Sequence, residues 1–323
     1  MSYNLYSSFA SDLENLIELK KATGYSERTY LPRARAFDEF CAVNCPDADL
    51  VTETLAVQWI KHAYESRPSS VHERISFLRI FGKYQTSIGK PAFVIKEQYT
   101  SGKSIFLPYI MSDSEIEELF SAIDTLCSEK IFKQLQMSTY FRLTYTCGLR
   151  PKEGRELLRK DVDLNTAEIR IVNTKWHKSR TIVMSDDMTA LMKKYVVARD
   201  ACFDTEQYLF PKPQGGPYTA TAIMNYMRRA FASSKPDIDK ELLPAIRVYD
   251  LRHRFATKVL HNWLDAGIDL NARLPYLQTY MGHDNLNSTA YYIHLLPENL
   301  VRSAGIDWEK LNSLVPEVEL WEK

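Results

Sequence analysis

Nowhere does the 323-residue sequence approach the ~20 consecutive apolar residues that a membrane-spanning helix needs, so no membrane partner is expected. The opening Met1-Ser2-Tyr3-Asn4-Leu5-Tyr6 carries no basic leader ahead of an apolar core and gives no sign of secretion. Neither sign of charge is in excess: 41 Lys and Arg stand against 41 Asp and Glu. That balance disfavours a non-specific nucleic-acid binder, which is normally basic. It leaves open a protein that gathers its basic residues on one face and binds DNA with a steep salt dependence. Cysteine is sparse and scattered, at Cys41, Cys45, Cys127, Cys147 and Cys202. Cys41 and Cys45 share helical i, i+4 spacing, but no second Cys/His pair completes four ligands, so reduced thiols are expected and a zinc site is not. The sequence also has no Asp/Glu cluster of the two-metal kind and no Gly-rich phosphate loop. Neither a metal nor a nucleotide cofactor is expected.

What is present is ordinary globular composition, 45% apolar and 25% charged, at a length that predicts two domains. The N-terminal part, residues 1–95, reads as a helical domain. Leu13, Leu16 and Ile17 give a first helix ending at Gly24. A second runs from Ser26 to Cys41 with Pro32 near its first turns, and Thr52 caps a third through Leu55, Trp59 and Ile60. Ser70-Val71-His72-Glu73 is a capping box for a fourth. On that helix His72, Ser76, Arg79 and Lys83 form a polar stripe apart from the apolar face of Val71, Ile75 and Leu78. A stripe of this kind is either a solvated face or a grip on DNA phosphates.

Residues 96–107 lack a helical period and contain Ser101-Gly102, which marks a linker. The second domain, residues 108–323, opens with the capping box Ser112-Asp113-Ser114-Glu115. A long helix follows from Ile131 to Cys147, stopped at Gly148, and Leu157 and Leu158 continue a short helix after Arg150. The period then changes to two: residues 167–172 and 181–184 read as strands joined by a polar connection, 173–180. Helices return at 188–198 and from Thr219, separated by the loop 211–217. The predicted fold is therefore mainly α with a small β-hairpin or sheet, an α-helical domain followed by an α+β domain.

Chemistry concentrates between Arg247 and His294, in Tyr249-Asp250-Leu251-Arg252-His253-Arg254, Tyr280-Met281-Gly282-His283 and Tyr291-Tyr292-Ile293-His294. A further arginine stands upstream in Gly148-Leu149-Arg150-Pro151-Lys152-Glu153. Two arginines can hold a phosphate through planar, permanently charged forks, and phosphoryl transfer asks a protein mainly for such positioning. Each alone also reads as a salt-bridge arginine, with Glu153 as helical partner of Arg150. A tyrosine can act as a covalent nucleophile, although Tyr291 and Tyr292 also fit aromatic packing. A hairpin lysine, Lys175 or Lys178, could protonate a leaving oxygen.

Taken in order, these motifs resemble those of the tyrosine recombinases, the integrase family that includes lambda integrase and Cre. The resemblance runs from Thr146 through the hairpin around Thr174-Lys175 to His294. It implies a core-binding domain over residues 1–95 and a catalytic domain over 108–323. It also implies that Tyr292, two residues before His294, attacks a DNA phosphodiester to form a 3′-phosphotyrosyl link without metal or ATP. Arg150 and Arg252 would clamp the non-bridging oxygens, Lys175 rather than Lys178 would act as general acid, His283 would bond the phosphate, and Glu153 would support Arg150. The family usually places histidine where this chain has Tyr249, and a phenol is a poor proton shuttle near neutral pH.

Expected partners are double-stranded DNA carrying a specific site and further copies of the chain, a dimer per site and a tetramer in synapsis. The apolar tail residues Leu314, Val315, Val318 and Leu320 would dock on a neighbouring protomer. A cytoplasmic, nucleoid-associated location follows. Type IB topoisomerase-like relaxation and a non-catalytic DNA-binding role on the same fold are the alternatives.

Overall fold

The computed structural model describes residues 3–66, 71–96, 108–126, 129–172, 179–203 and 205–296. Contacts divide the chain into two compact units, residues 1–106 and 107–323. Ser70, most of the expected linker, both hairpin lysines Lys175 and Lys178, and the tail lie outside the described residues.

The first unit packs four helices, α1 (Ala10–Ala22), α2 (Glu27–Asn44), α3 (Glu53–Ser66) and α4 (Val71–Ser87). Thr52 accepts from Leu55 N at 3.2 Å and so satisfies one of the orphan donors at the start of α3. Pro32 lies inside α2. Phe37 is the hub of the core, with ring centroids of Trp59, Phe9, Phe81 and Phe77 at 5.4, 5.5, 5.6 and 6.1 Å. The segment after α4 folds back so closely that a Cβ on Gly82 would stand 2.5 Å from Phe93 O, which only glycine avoids. Arg79 holds that returning segment, donating from Nε to Ile95 O and from Nη2 to Lys96 O, both at 2.9 Å. Of the polar stripe on α4, His72 is half-buried and Lys83 is exposed.

The second unit is mostly helical around a small antiparallel sheet. It opens with α5 (Asp113–Thr125), whose Ser112–Glu115 capping box is formed, and α6 (Ile131–Thr146). A short α7 (Pro151–Glu156) follows, then strands β1 (Val162–Asp163), β2 (Glu168–Ile171) and β3 (Arg180–Val183) in the order β1-β2-β3. Ile169 pairs with Ile182, and both are buried with Ile171, while Glu168 and Thr181 face solvent. The sequence pattern did not reveal β1, a two-residue strand too short to show a period. Nor do Leu157 and Leu158 continue α7. Leu157 is extended and its carbonyl accepts from Leu209 N at 2.7 Å, while Leu158 bridges Tyr208, so pairing with a distant segment overrides local helix propensity.

Helices α8 (Asp186–Cys202) and α9 (Ala220–Ser233) complete one core with α5 and α6. The last stretch forms α10 (Val248–Asp265), α11 (Leu270–Met281), a single turn α12 (Asn287–Ala290) and a 3-10 turn (Tyr291–Leu295), with Ala256, Leu260, Leu274, Leu277 and Ile293 forming an adjoining core.

Candidate active site

Chain reversals bring the predicted residues together. Gly148 follows α6 at φ +57°, where a Cβ would meet the Phe255 ring at 2.5 Å. Its carbonyl is thereby free to accept from Arg252 Nη1 at 2.6 Å. Arg252 is wholly buried on α10. Its Nη2 donates to Met281 O at 2.7 Å and lies 3.0 Å from His283 Nε2. Arginine carries only donors, so His283 Nε2 accepts and its Nδ1–H donates to the buried Thr289 Oγ1 at 2.8 Å. Arg252 Nε, by contrast, is buried with no partner among the described residues.

Arg150 caps α7 and is tied to Glu153 twice, from its backbone N (2.9 Å) and from Nη1 (2.8 Å), while Nη2 donates to Gly282 O. Gly282 stands in the left-handed region at φ +65° and ends α11. Burial works to raise the pKa of Glu153, but hydrogen bonds and charge from Arg180, then from Arg150, hold its carboxyl down at about 2. Burial pushes His283 down to about 3, helped by Arg252, Arg150 and Arg180, and pushes His253 down to about 4. Both imidazoles are therefore neutral near pH 7.

The 3-10 turn after α12 distinguishes the two tyrosines. Tyr292 is 2% exposed and Tyr291 is 38% exposed. The Tyr292 ring stacks on His283 (centroids 5.9 Å, 20°) and lies 5.6 Å from His253. Burial raises its pKa to about 12 against the pull of Arg252. Tyr249 packs on His253 at 5.0 Å, and its phenol is among the groups that hold charge on Arg150.

Arg150, Glu153, Tyr249, Arg252, His283 and Tyr292 thus form one contiguous cluster. His72, Arg79 and Lys83 belong to the first unit. Lys175 lies outside the described residues. Sequence reasoning missed two members. Thr289 holds His283 through Nδ1. Arg180, taken above as part of the connection, is instead the first residue of β3 and binds both oxygens of Glu153. Strand parity offered a signal for Arg180, because it shares a face with buried Ile182 two residues on. Among the described residues, no three His, Cys, Asp or Glu side chains gather where they could hold a metal ion.

The chain is similar to y4rE of Sinorhizobium fredii, a protein named for an integrase/recombinase role, with 28% identity over 87% of this chain and 90% of that one. It is 24% identical to the tyrosine recombinase XerC of Staphylococcus saprophyticus over 88% of this chain and 92% of that one. In fold it is similar to the XerH site-specific recombinase bound to its difH substrate. There the TM-score is 0.67 and the identity 20%, over 94% of this chain and 85% of that one. The Phage integrase family matches residues 110–299, more than half of the chain and the whole interval from Arg150 to Tyr292, and the chain belongs to that family.

Proposed function

We propose that the protein is a site-specific DNA recombinase that cuts and rejoins strands through a 3′-phosphotyrosyl intermediate. The observation that carries this reading is the buried guanidinium of Arg252. Among the described residues it has no carboxylate partner and its Nε–H is unmatched, and it stands beside Arg150, His283 and Tyr292. A scissile phosphate seated there would receive donors from Arg252 and Arg150, and their charge would stabilise the equatorial oxygens as the attacking bond forms. Tyr292 gives its phenol proton to water as its Oη attacks phosphorus, the 3′-phosphotyrosyl bond forms, and the bond to the 5′-oxygen breaks as that oxygen takes a proton from Lys175. Tyr292 is buried in the free chain, so attack requires DNA binding to open the site. Once the phosphate draws Arg252 away, neutral His283 carries its proton on Nε2, with Nδ1 accepting from the Thr289 hydroxyl, and donates to a phosphate oxygen. The link retains the energy of the broken bond, so a partner strand's 5′-hydroxyl can reverse it and no nucleotide is consumed.

Residues 1–95 act as the core-binding domain and residues 108–323 as the catalytic domain, on a specific duplex site, as a dimer that pairs into a tetramer. The tail joins protomers, and the protein works at the nucleoid.

The test is covalent capture in cells. Wild type and Tyr292→Phe are expressed, non-covalent protein is stripped with denaturant, and DNA attached to the purified protein is sequenced. Adducts from wild type alone, ending at defined positions, are expected. Binding to DNA without any adduct would favour the accessory role, adducts surviving in Tyr292→Phe would move the nucleophile to Tyr291, and relaxation of a plasmid lacking any captured site would favour a topoisomerase.

A further inference from the structure

We infer that Arg180 is a positioning residue of the reaction: by neutralising Glu153, it leaves the charge of Arg150 available to the phosphate. The inference rests on the strand-cleavage reading above.

Arg180 is 9% exposed at the start of β3 and grips Glu153 as a fork, Nη1 to Oε1 at 2.9 Å and Nη2 to Oε2 at 2.8 Å. Its Nε donates to Tyr280 O at 2.8 Å. Glu153 also binds Arg150, whose other nitrogen reaches Gly282 O, so one carboxylate is shared between two guanidiniums in a closed ring of contacts. The fit is tight: a Cβ on Gly282 would stand 2.9 Å from Arg180 Nη1. With Arg180 present, the three charges sum to one positive charge beside Arg252. Without it, Glu153 and Arg150 cancel, and the clamp holds the phosphate with Arg252 alone.

Among the described residues, the other charged or titratable groups around Glu153 are Arg252 from α10 and His283 after α11, with Asp161, Arg170, Lys152 and Glu156 along the adjoining groove. Lys152 and Glu156 stand 3.7 Å apart as an ion pair of their own. Arg180 alone of these neutralises the carboxylate through a two-point contact from outside the Arg150 segment.

The experiment measures single-turnover adduct formation on a nicked duplex carrying the sequence recovered by covalent capture, together with affinity for the same duplex. Arg180→Met is expected to slow adduct formation about tenfold to a hundredfold with affinity unchanged. The loss shrinks as pH falls from 7.5 to 5, because Glu153, still buried but no longer paired with Arg180, gains a proton and releases Arg150. Arg180→Met with Glu153→Gln recovers most of the rate and loses that pH dependence. Arg180→Lys, which retains the charge, falls between wild type and Arg180→Met and serves if Arg180→Met does not fold. A rate equal to wild type, or a loss that Glu153→Gln does not relieve, overturns the inference alone. A wild type that forms no adduct overturns the strand-cleavage reading and this inference with it.

Discussion

Arg199 on α8 and Arg252 on α10 are about equally withdrawn from solvent, at 2% and 0% exposure. Around Arg199 every nitrogen is engaged. Nε donates to Tyr208 O (3.2 Å), Nη1 to Asp200 Oδ1 (2.6 Å) and Phe203 O (3.2 Å), and Nη2 to Tyr208 O (2.8 Å) and Glu206 O. Its carboxylate partner supplies a counter-charge, and its targets are the carbonyls of the loop that follows α8. Around Arg252 the acceptors among the described residues are two carbonyls and a neutral imidazole, with the Tyr292 phenol beside them, Nε is unmatched there, and burial lowers the pKa. Burying a charge without a counter-ion is costly. The cost is explicable where an anion arrives later, so the first arginine reads as architecture and the second, on the function proposed above, as a phosphate clamp.

The sharpest way to break this contrast is to remove each guanidinium. Arg252→Met should lower single-turnover adduct formation by about a thousandfold or more. Relief of the buried charge offsets the two orphaned carbonyls, so denaturant melts should move by about 1 kcal/mol or less. Arg199→Met should do the reverse, costing about 3 kcal/mol as three carbonyls and an aspartate lose their donor, while the folded fraction reacts at the wild-type rate. Equal destabilisation by the two variants would remove the distinction. A smaller effect is expected from Gly148→Ala. Its methyl would strike the Phe255 ring and shift the carbonyl that holds Arg252, lowering the adduct rate about tenfold and stability by about 1–3 kcal/mol. A normal rate in a folded Gly148→Ala would mean that the carbonyl does not set the Arg252 geometry.

The same contrast explains what was legible in advance. Leu13, Leu16, Ile17 and the Ser112–Glu115 box announce their helices because period and capping are local properties. Arg150, Arg252, His283 and Tyr292 stand out as candidates because their motifs are local too. What each motif touches is not local. Arg180 and Glu153 are 27 positions apart, and Arg150 and Gly282 132 apart, so neither contact leaves a trace in spacing. Leu157 and Leu158 look helical in sequence because their partners, residues 207–209, stand fifty residues on. Arg79, placed in a stripe facing outward, turns instead to the carbonyls of Ile95 and Lys96, which periodicity on one helix cannot foresee.

The smallest expected effect concerns pH, and it separates stability from chemistry at the same residues. His283 is held at about 3 and His253 at about 4, both below the 6.5 of an unperturbed imidazole. A folded-state pKa below the unfolded one means that the unfolded chain takes up protons first. The stabilisation is complete above pH 6.5 and is lost as pH falls toward 3. Glu153 adds to the acid loss only lower, between its unperturbed 4.5 and about 2. Between pH 7 and 5 the histidines should therefore cost about 1 kcal/mol each, after discounting for their partial exposure, and His283→Asn should remove its share of that loss. Adduct formation per folded molecule should meanwhile change by less than about threefold between pH 5.5 and 8, because neither imidazole changes charge there. The position where the family resemblance implies a further histidine is here the phenol of Tyr249. A bell-shaped rate profile centred near pH 6.5, persisting in His283→Asn, would show that an imidazole titrates in the working site, and would identify His253, beside Tyr249 and Tyr292, as the group to remove next.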